Sequence, residues 1–287
     1  MAVYERRYRG YEGYHVPDWT LFSVLPRYAA SEVFRSRFFT GFYFLCFVGP
    51  LLSILFIYIR HNAGLLETMP QLGDWFTIGP NLTYYYLELQ AMFLGFMVTL
   101  VVGPALVSAD LRNGGLPLYL CRPLTRVEYV LGKLSVLVVL LSLITWVPGM
   151  LLYFLEGYLQ GDGWLLKNVR LLVTVVLGSW LWIAVLSLLA LALSAWIKHK
   201  SLASGLLAGV VLVGLGLANI IDVVVGTRWA QLLSIKSLTE SVWWSLLGAP
   251  DSSYVPAGVA LVALAGVVLA SLGLLWRKVT AFEVSKR

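Results

Sequence analysis

Residues 171–197 read LLVTVVLGSWLWIAVLSLLALALSAWI, a stretch of 27 residues without one charged side chain. A helix needs roughly 20 mostly apolar residues to cross the ~30 Å hydrocarbon core of a bilayer. The apolar residues are continuous here, whereas the strands of a transmembrane barrel alternate apolar and polar residues. The stretch therefore predicts a membrane-spanning helix, over residues 169–197.

The rest of the chain repeats this pattern. Six such apolar runs occur in all, at 38–59, 87–108, 129–154, 169–197, 202–225 and 256–276. Of the 287 residues, 59% are hydrophobic and only 13% are charged, which excludes disorder and argues against a water-soluble domain. We expect an all-α, polytopic membrane protein: a tail at 1–37, a six-helix transmembrane domain at 38–276 and a second tail at 277–287.

The basic residues predict the orientation. Cytoplasmic loops of membrane proteins carry an excess of Lys and Arg. With the N-terminus inside, 16 of the 21 basic residues fall on the cytoplasmic side and five on the other. Both termini are therefore predicted to be cytoplasmic. The net charge of +6 follows from this topology and does not indicate a nucleic-acid partner.

Two segments outside the runs have helical apolar stripes. Residues 26–37, PRYAASEVFRSR, place Pro26 in a first helical turn and Tyr28, Ala29 and Phe34 on one face. They predict an amphipathic helix on the cytoplasmic membrane surface, the alternative being an ordinary basic flank. Residues 226–255 are too polar to span again, and predict a re-entrant or interfacial helix near the outer leaflet.

Prolines and glycines within the runs predict local geometry. Pro50, Pro104 and Pro148 predict kinks, which are tolerated where neighbouring helices cover the carbonyls that each proline leaves unpaired. Gly205 and Gly209 form a small-xxx-small pattern, followed by Gly214 and Gly216, that favours close helix packing, the alternative being ordinary helix packing.

Three polar residues lie at similar depth near the outer ends of the runs. They are Glu88 in the second run and Asn219 and Asp222 in the fifth. Ionisable groups near hydrocarbon usually face protein or water. They predict either the outer mouth of a pathway or side chains that reach the lipid headgroups.

The sequence lacks the motifs of a self-contained enzyme. It has no glycine-rich phosphate loop ending in Gly-Lys-Ser/Thr and no His-Glu-x-x-His, and its three histidines lie in different loops. We therefore expect no catalytic residue, metal or cofactor in this chain.

The most distinctive polar stretch joins the second and third runs. Residues 108–133 read SADLRNGGLPLYLCRPLTRVEYVLGK. Leucines recur among the charges, Arg122-Pro123 interrupts the stretch, and Thr125 with Glu128 three residues later forms a capping box for the next helix. This predicts a helix, a break and a second helix, with an apolar face that docks on another protein.

Here the sequence resembles the ABC-2 family of ABC-exporter permeases. That family's loop has an acidic residue, a glycine, a leucine-rich stretch, Arg-Pro or Ser-Pro, Ser/Thr-Arg, an acidic residue and Gly-Lys. The corresponding residues in this chain are Asp110, Gly114, Leu118, Leu120, Arg122-Pro123, Thr125-Arg126, Glu128 and Gly132-Lys133. Asp110 stands where glutamate is commoner. The six-run layout extends the resemblance over nearly the whole chain.

The resemblance implies a function and partners. Residues 109–128 would be the coupling loop that docks on a separate ATP-binding subunit, which would hold ATP and Mg²⁺. Two permeases, identical or closely related, would pair with two such subunits in a bacterial or archaeal plasma (inner) membrane, in some cases with periplasmic or accessory subunits. The coupling residues would be Asp110, Arg112, Leu118, Tyr119, Arg122, Pro123, Arg126, Glu128 and Lys133.

Two other functions are compatible with the sequence. A stand-alone six-span channel or carrier would work without an ATPase and would need a polar path through the spans. A membrane anchor would scaffold other subunits without transport. The scarcity of charge in the runs favours an amphipathic or hydrophobic substrate over a small ion, and the sequence does not identify the substrate further.

Overall fold

The computed structural model describes residues 18–61, 79–112, 126–161, 163–249 and 254–278, with the side chains of 18–25 and 126 outside that description. Of these residues, 91% are helical and none forms a strand. The expected all-α class is confirmed for this part of the chain. Six helices are long and apolar enough to cross a membrane, as in a multi-pass membrane protein.

The predicted runs correspond one to one with these helices, which we call spans 1 to 6. Their bounds are Arg37–His61, Pro80–Arg112, Val127–Gln160, Val169–Trp196, Lys200–Val225 and Ala257–Lys278. Spans 2 and 3 extend beyond the apolar runs at both ends, because polar residues at helix ends continue the backbone hydrogen bonding outside the apolar stretch. We call the end of the bundle that carries loop 109–128 the loop side and the end that carries residues 226–255 the connector side.

Four of the spans are interrupted. Span 1 consists of helices Arg37–Leu45 and Val48–His61, and span 3 of helices Arg126–Ile144 and Trp146–Gln160. Span 2 runs Pro80–Leu87, then a π-helical turn at Glu88–Gly95, then Phe96–Arg112. Span 4 runs Val169–Val173, a π-helical turn at Thr174–Gly178, and Ser179–Trp196, after a short helix at Trp164–Lys167.

The core lies between spans 2, 3 and 4. Their most apolar windows are 67%, 50% and 72% buried, against 22%, 11% and 22% for spans 1, 5 and 6. Span 4 is central and packs against spans 2, 3, 5 and 6. Leu137, Ile183 and Leu191 are among the buried core side chains. The outer spans therefore present most of their apolar surface to the surroundings.

The N-terminal helix differs from its predicted bounds. It covers Asp18–Phe34, so Pro26 lies inside the helix rather than in its first turn. It ends at Phe34 because Ser36 caps the next helix, accepting a hydrogen bond from the Phe39 N–H at 3.3 Å. Ala29 is buried but Tyr28 is 68% exposed, so the two do not share a buried face. The helix packs against span 3, and its position on the membrane surface stays a prediction.

Residues 226–255 contain the predicted extra helix. A 3-10 helix covers Arg228–Leu233 and an α-helix, here called the connector helix, covers Ile235–Leu247. Gly226 and Gly248, with φ of 69° and 85°, end span 5 and the connector helix respectively. The connector helix is buried on most of its faces against spans 4, 5 and 6. Whether it is re-entrant or interfacial in a membrane stays a prediction.

The small-residue pattern of span 5 is used only in part among the described residues. A Cβ added to Gly205 or Gly209 would have no described atom within 4 Å. The close approach occurs at Gly214, the third glycine of the pattern, where such a Cβ would lie 2.7 Å from the Leu233 carbonyl oxygen. Among the described residues, the expected close packing is therefore found at Gly214 and not at Gly205, Gly209 or Gly216.

Candidate functional site

Gln90 joins the two broken spans. A proline cannot donate the hydrogen bond that the carbonyl four residues earlier would receive in a helix. Pro50 leaves the carbonyl of Cys46 without its helical donor, and Pro148 does the same to Ile144. The Gln90 Nε2 amide donates to both oxygens, at 3.0 Å to Cys46 and 2.9 Å to Ile144.

The third proline is compensated in the same way. Pro104 in span 2 leaves the carbonyl of Leu100 without its helical donor. The Ser204 hydroxyl of span 5 lies 2.9 Å from that oxygen, and 3.0 Å from the Lys200 carbonyl of its own helix, so its one proton is shared between the two. The prediction that neighbouring helices cover the carbonyls freed by Pro50, Pro104 and Pro148 is thus confirmed.

The π-helical turn of span 2 places Gln90 between spans 1 and 3. Such turns are rare, occur frequently at functional sites and leave backbone groups for other partners. The indole Nε1 of Trp182 in span 4 donates to the Ala91 carbonyl in this turn at 2.7 Å. Gln90 is 1% exposed. Its hydrogen bonds to spans 1 and 3, and the bond from span 4 to the adjacent Ala91, hold it in position.

A cavity of about 320 Å³ lies beside Gln90. Its wall comes from spans 1 to 4 and includes Gly49, Leu52, Phe56, Leu89, Gln90 and Leu152. None of the described residues that line it is charged. The Oε1 atom of Gln90 is buried at this wall and has no hydrogen-bond partner in the described part of the chain. The cavity was not predicted from the sequence.

Glu88, one of the three residues predicted at an outer mouth, is bound by the connector helix. The Lys236 ammonium lies 3.2 Å from the Glu88 carboxylate and 3.2 Å from that of Glu240. The Tyr84 hydroxyl donates to Glu240 at 3.0 Å. Span 2 and the connector helix are therefore joined by a network of two carboxylates, one ammonium and one phenol.

Burial and charge shift the pKa values of this network in the connector helix. Burial disfavours the charged form of Lys236, but the attraction of Glu240 and the hydrogen bonds to Glu88 and Glu240 outweigh it, so the pKa of Lys236 is raised. Glu240 is only 2% exposed, and burial raises the pKa of its carboxyl despite the nearby Lys236. The lysine therefore stays protonated at neutral pH.

Asn219 and Asp222 bind a different part of the 226–255 segment. The Gln231 Nε2 amide lies 3.2 Å from Asn219 Oδ1 and 3.2 Å from Asp222 Oδ2. Ser237 donates to the Gln231 Oε1 at 2.8 Å. All three predicted residues thus contact residues 226–255, but through two separate sets of hydrogen bonds. Their role at a pathway mouth stays a prediction.

At the loop side, two of the predicted coupling residues form an ion pair. The Lys133 ammonium lies 2.9 Å from the Asp110 carboxylate, and the Tyr129 hydroxyl donates to the same oxygen at 2.7 Å. Lys133 is 7% exposed. The last turns of span 2 and the first turns of span 3 are therefore bonded together at the base of the loop.

The remaining coupling residues fall into two groups. Arg112 is exposed at the end of span 2, and Glu128 is half-buried at the start of span 3. Outside the described residues lie Leu118, Tyr119, Arg122, Pro123 and the side chain of Arg126.

The sequence also gave no indication of a buried ion pair on the connector side. The Glu156 carboxylate of span 3 is 1% exposed and lies 3.3 Å from the Arg60 guanidinium of span 1. Gln160 donates to the same oxygen at 3.1 Å. In the sequence, Arg60 and Glu156 are single charged residues near the ends of apolar runs. They are 96 residues apart, so the sequence does not indicate that they form a pair. Over the described ranges, no group of three or more His, Cys, Asp or Glu side chains is placed to hold a metal ion.

The sequence matches none of the protein-family models, and no curated protein matches it either.

Proposed function

We propose that the chain is the membrane-spanning permease subunit of an ABC-2 type exporter. It would act as a pair of permeases with two separate ATP-binding subunits, in a bacterial or archaeal plasma membrane with both termini cytoplasmic. The proposal rests on the loop motif at 108–133 together with the six spans. ATP hydrolysis would belong to the partner subunits.

The observation that best supports this proposal is the Asp110–Lys133 ion pair. These two residues correspond to the acidic residue and the lysine at the two ends of the loop motif, 23 positions apart, yet their charged groups lie 2.9 Å apart. Tyr129 donates a further hydrogen bond to Asp110. Spans 2 and 3 therefore share one bonded base from which the loop leaves and to which it returns.

Such a base transmits force to two spans together. A partner that moves the loop would displace the ends of spans 2 and 3 as a unit, because separating them breaks a largely buried ion pair. Span 3 is tied to spans 1 and 2 by Gln90. ATP would drive transport to the extent that the closed ATPase pair binds one arrangement of the spans better than the other.

The test is co-purification with an ATP-binding protein and stimulation of its ATP turnover. We expect Arg122→Glu with Arg126→Glu to abolish both, because the two substitutions reverse the charge of the docking surface. The matched control is Lys198→Glu with Lys200→Glu, which reverses two basic residues in the other loop on the loop side of the bundle and should retain both. Unchanged co-purification and turnover in the first variant would refute the docking role. Transport into liposomes by the chain alone would favour a channel or carrier.

A further inference from the structure

The cavity beside Gln90 is open to the apolar exterior of the bundle. Four side chains on its wall, Leu52, Phe56, Tyr85 and Leu89, are 40% to 63% exposed. They belong to spans 1 and 2, whose outward surfaces are apolar. A volume of about 320 Å³ is at the lower end of the range for small-molecule sites, roughly 300–1,000 Å³. A molecule dissolved in the bilayer would therefore reach the cavity sideways.

The wall contains a buried amide oxygen, Gln90 Oε1, that accepts no hydrogen bond from the described residues. Both carbonyls beside Gln90 need donors, so the amide nitrogen must face them and Oε1 must point away from them. Oε1 lies 3.6 Å from the position that a Cβ on Gly49 would occupy. A buried acceptor without a donor is unfavourable, by about 1–3 kcal/mol.

Gly49 and Leu89 lie beside this acceptor. Gly49 lacks the side chain that would cover Oε1, and the half-exposed Leu89 places a methyl carbon 3.8 Å from the same position. Since Oε1 is itself buried, a donor can reach it only if a neighbouring side chain moves, and the half-exposed Leu89 is the candidate. Three hydroxyls at the wall already donate hydrogen bonds to backbone carbonyls: Ser53 to Gly49, Tyr86 to Thr145 and Tyr153 to Leu165.

We propose that this cavity binds a neutral amphiphile from the bilayer: an apolar chain that carries one hydroxyl or amide N–H, donated to Gln90 Oε1. The apolar wall excludes a charged head group, because no described side chain there would pair with it. The ligand is held where spans 1, 2 and 3 meet at their breaks. The proposal does not depend on the export function, since it concerns one chain without a partner.

The probe is a diazirine-bearing octanol, applied to the full-length protein in lipid nanodiscs and mapped by peptide mass spectrometry. We expect crosslinks in the segments around Leu52, Leu89 and Leu152. At equal concentration in the membrane, 1-decanol should compete at least about fivefold better than decane, the ratio expected for one hydrogen bond. Competition by a diacylglycerol, which has a free hydroxyl, would identify the source as a membrane lipid. Competition by decanol alone would identify a single-chain alcohol.

Gly49→Leu is the blocking variant, because its side chain would fill the space next to Oε1. Its control is Gly41→Leu, also in span 1, where an added Cβ meets no described atom within 4 Å. We expect Gly49→Leu to lose the crosslinks and Gly41→Leu to keep them. Both variants should show a cooperative thermal unfolding transition, which demonstrates that they are folded. Equal competition by decane and decanol would refute the hydrogen bond to Gln90. Crosslinks that persist in Gly49→Leu, or that never exceed the level on spans 5 and 6, would refute the site.

Discussion

The amide nitrogen of Gln90 lies 2.9 Å from the carbonyl oxygen of Ile144, the group that Pro148 leaves without a helical donor. The same nitrogen lies 3.0 Å from the carbonyl oxygen of Cys46, which Pro50 leaves without one. One side chain thereby compensates two prolines in two other spans. In hydrocarbon the two carbonyls would otherwise find no water to bind.

Replacing Gln90 should therefore destabilise the bundle, and removing a proline should restore part of the loss. We expect Gln90→Leu to lower the free energy of unfolding by about 2–4 kcal/mol, since two buried carbonyls lose their donor. Adding Pro148→Ala returns a backbone N–H that can donate to the Ile144 carbonyl, and should recover part of the lost free energy of unfolding. Thermal unfolding in detergent, followed by tryptophan fluorescence, measures both. If Pro148→Ala lowered the free energy of unfolding equally in the wild type and in Gln90→Leu, the claim that Gln90 compensates for Pro148 would be wrong.

The Asp110–Lys133 pair should show strong coupling in a double-mutant cycle. Breaking a buried pair leaves one charge uncompensated, so we expect Asp110→Asn or Lys133→Met alone to cost about 3 kcal/mol. The double variant should cost clearly less than the sum of the two. Arg112→Met, at an exposed position two residues from Asp110, is the control and should have little effect. Additive losses in unfolding experiments would contradict the bonded base.

Glu240 should make stability depend on pH. A carboxyl whose pKa is raised by folding contributes stability below its ordinary value of 4.5, and that contribution is lost as the pH rises through the raised pKa. Glu240→Gln removes the titration but keeps an acceptor for Tyr84. We expect the unfolding temperature of the wild type, relative to this variant, to fall as the pH rises from about 4 towards neutrality.

The control for this titration is Glu32→Gln, at an exposed carboxyl in the N-terminal helix. Glu88, Lys236, Tyr84 and Tyr254 interact with Glu240 and are present in both the wild type and Glu240→Gln, so the comparison reports Glu240 together with its coupling to these groups. A difference in unfolding temperature that stays constant over this pH range would show that folding does not raise the pKa of Glu240.

Two glycines should respond oppositely to alanine. A Cβ on Gly178 would lie 2.7 Å from the indole nitrogen of Trp243, which is fully buried, so Gly178→Ala forces a large side chain to move. We expect a loss of about 1–3 kcal/mol. Gly209→Ala meets no described atom within 4 Å and should gain up to about 1 kcal/mol from helix propensity. Equal effects of the two substitutions on thermal unfolding would contradict the packing of Trp243 on span 4.

The fold class and the number and position of the spans could be read from the sequence. Each span is a local property, because about 20 apolar residues satisfy their own backbone hydrogen bonds and need no distant partner to be recognised. Pro50, Pro104 and Pro148 likewise indicated where carbonyls would be left unpaired. The loop motif indicated Asp110 and Lys133, since both lie in one short stretch.

Only the tertiary structure decided which groups meet. Nothing in the sequence pairs Gln90 with Cys46 and Ile144, Ser204 with Leu100, or Glu156 with Arg60, because these partners lie 44 to 104 residues apart. The cavity wall combines four spans and depends on the absence of a side chain at Gly49. Apolar patterning specifies that helices form and bury a face, whereas the choice of neighbours depends on shape and on polar groups that must find partners where water is absent.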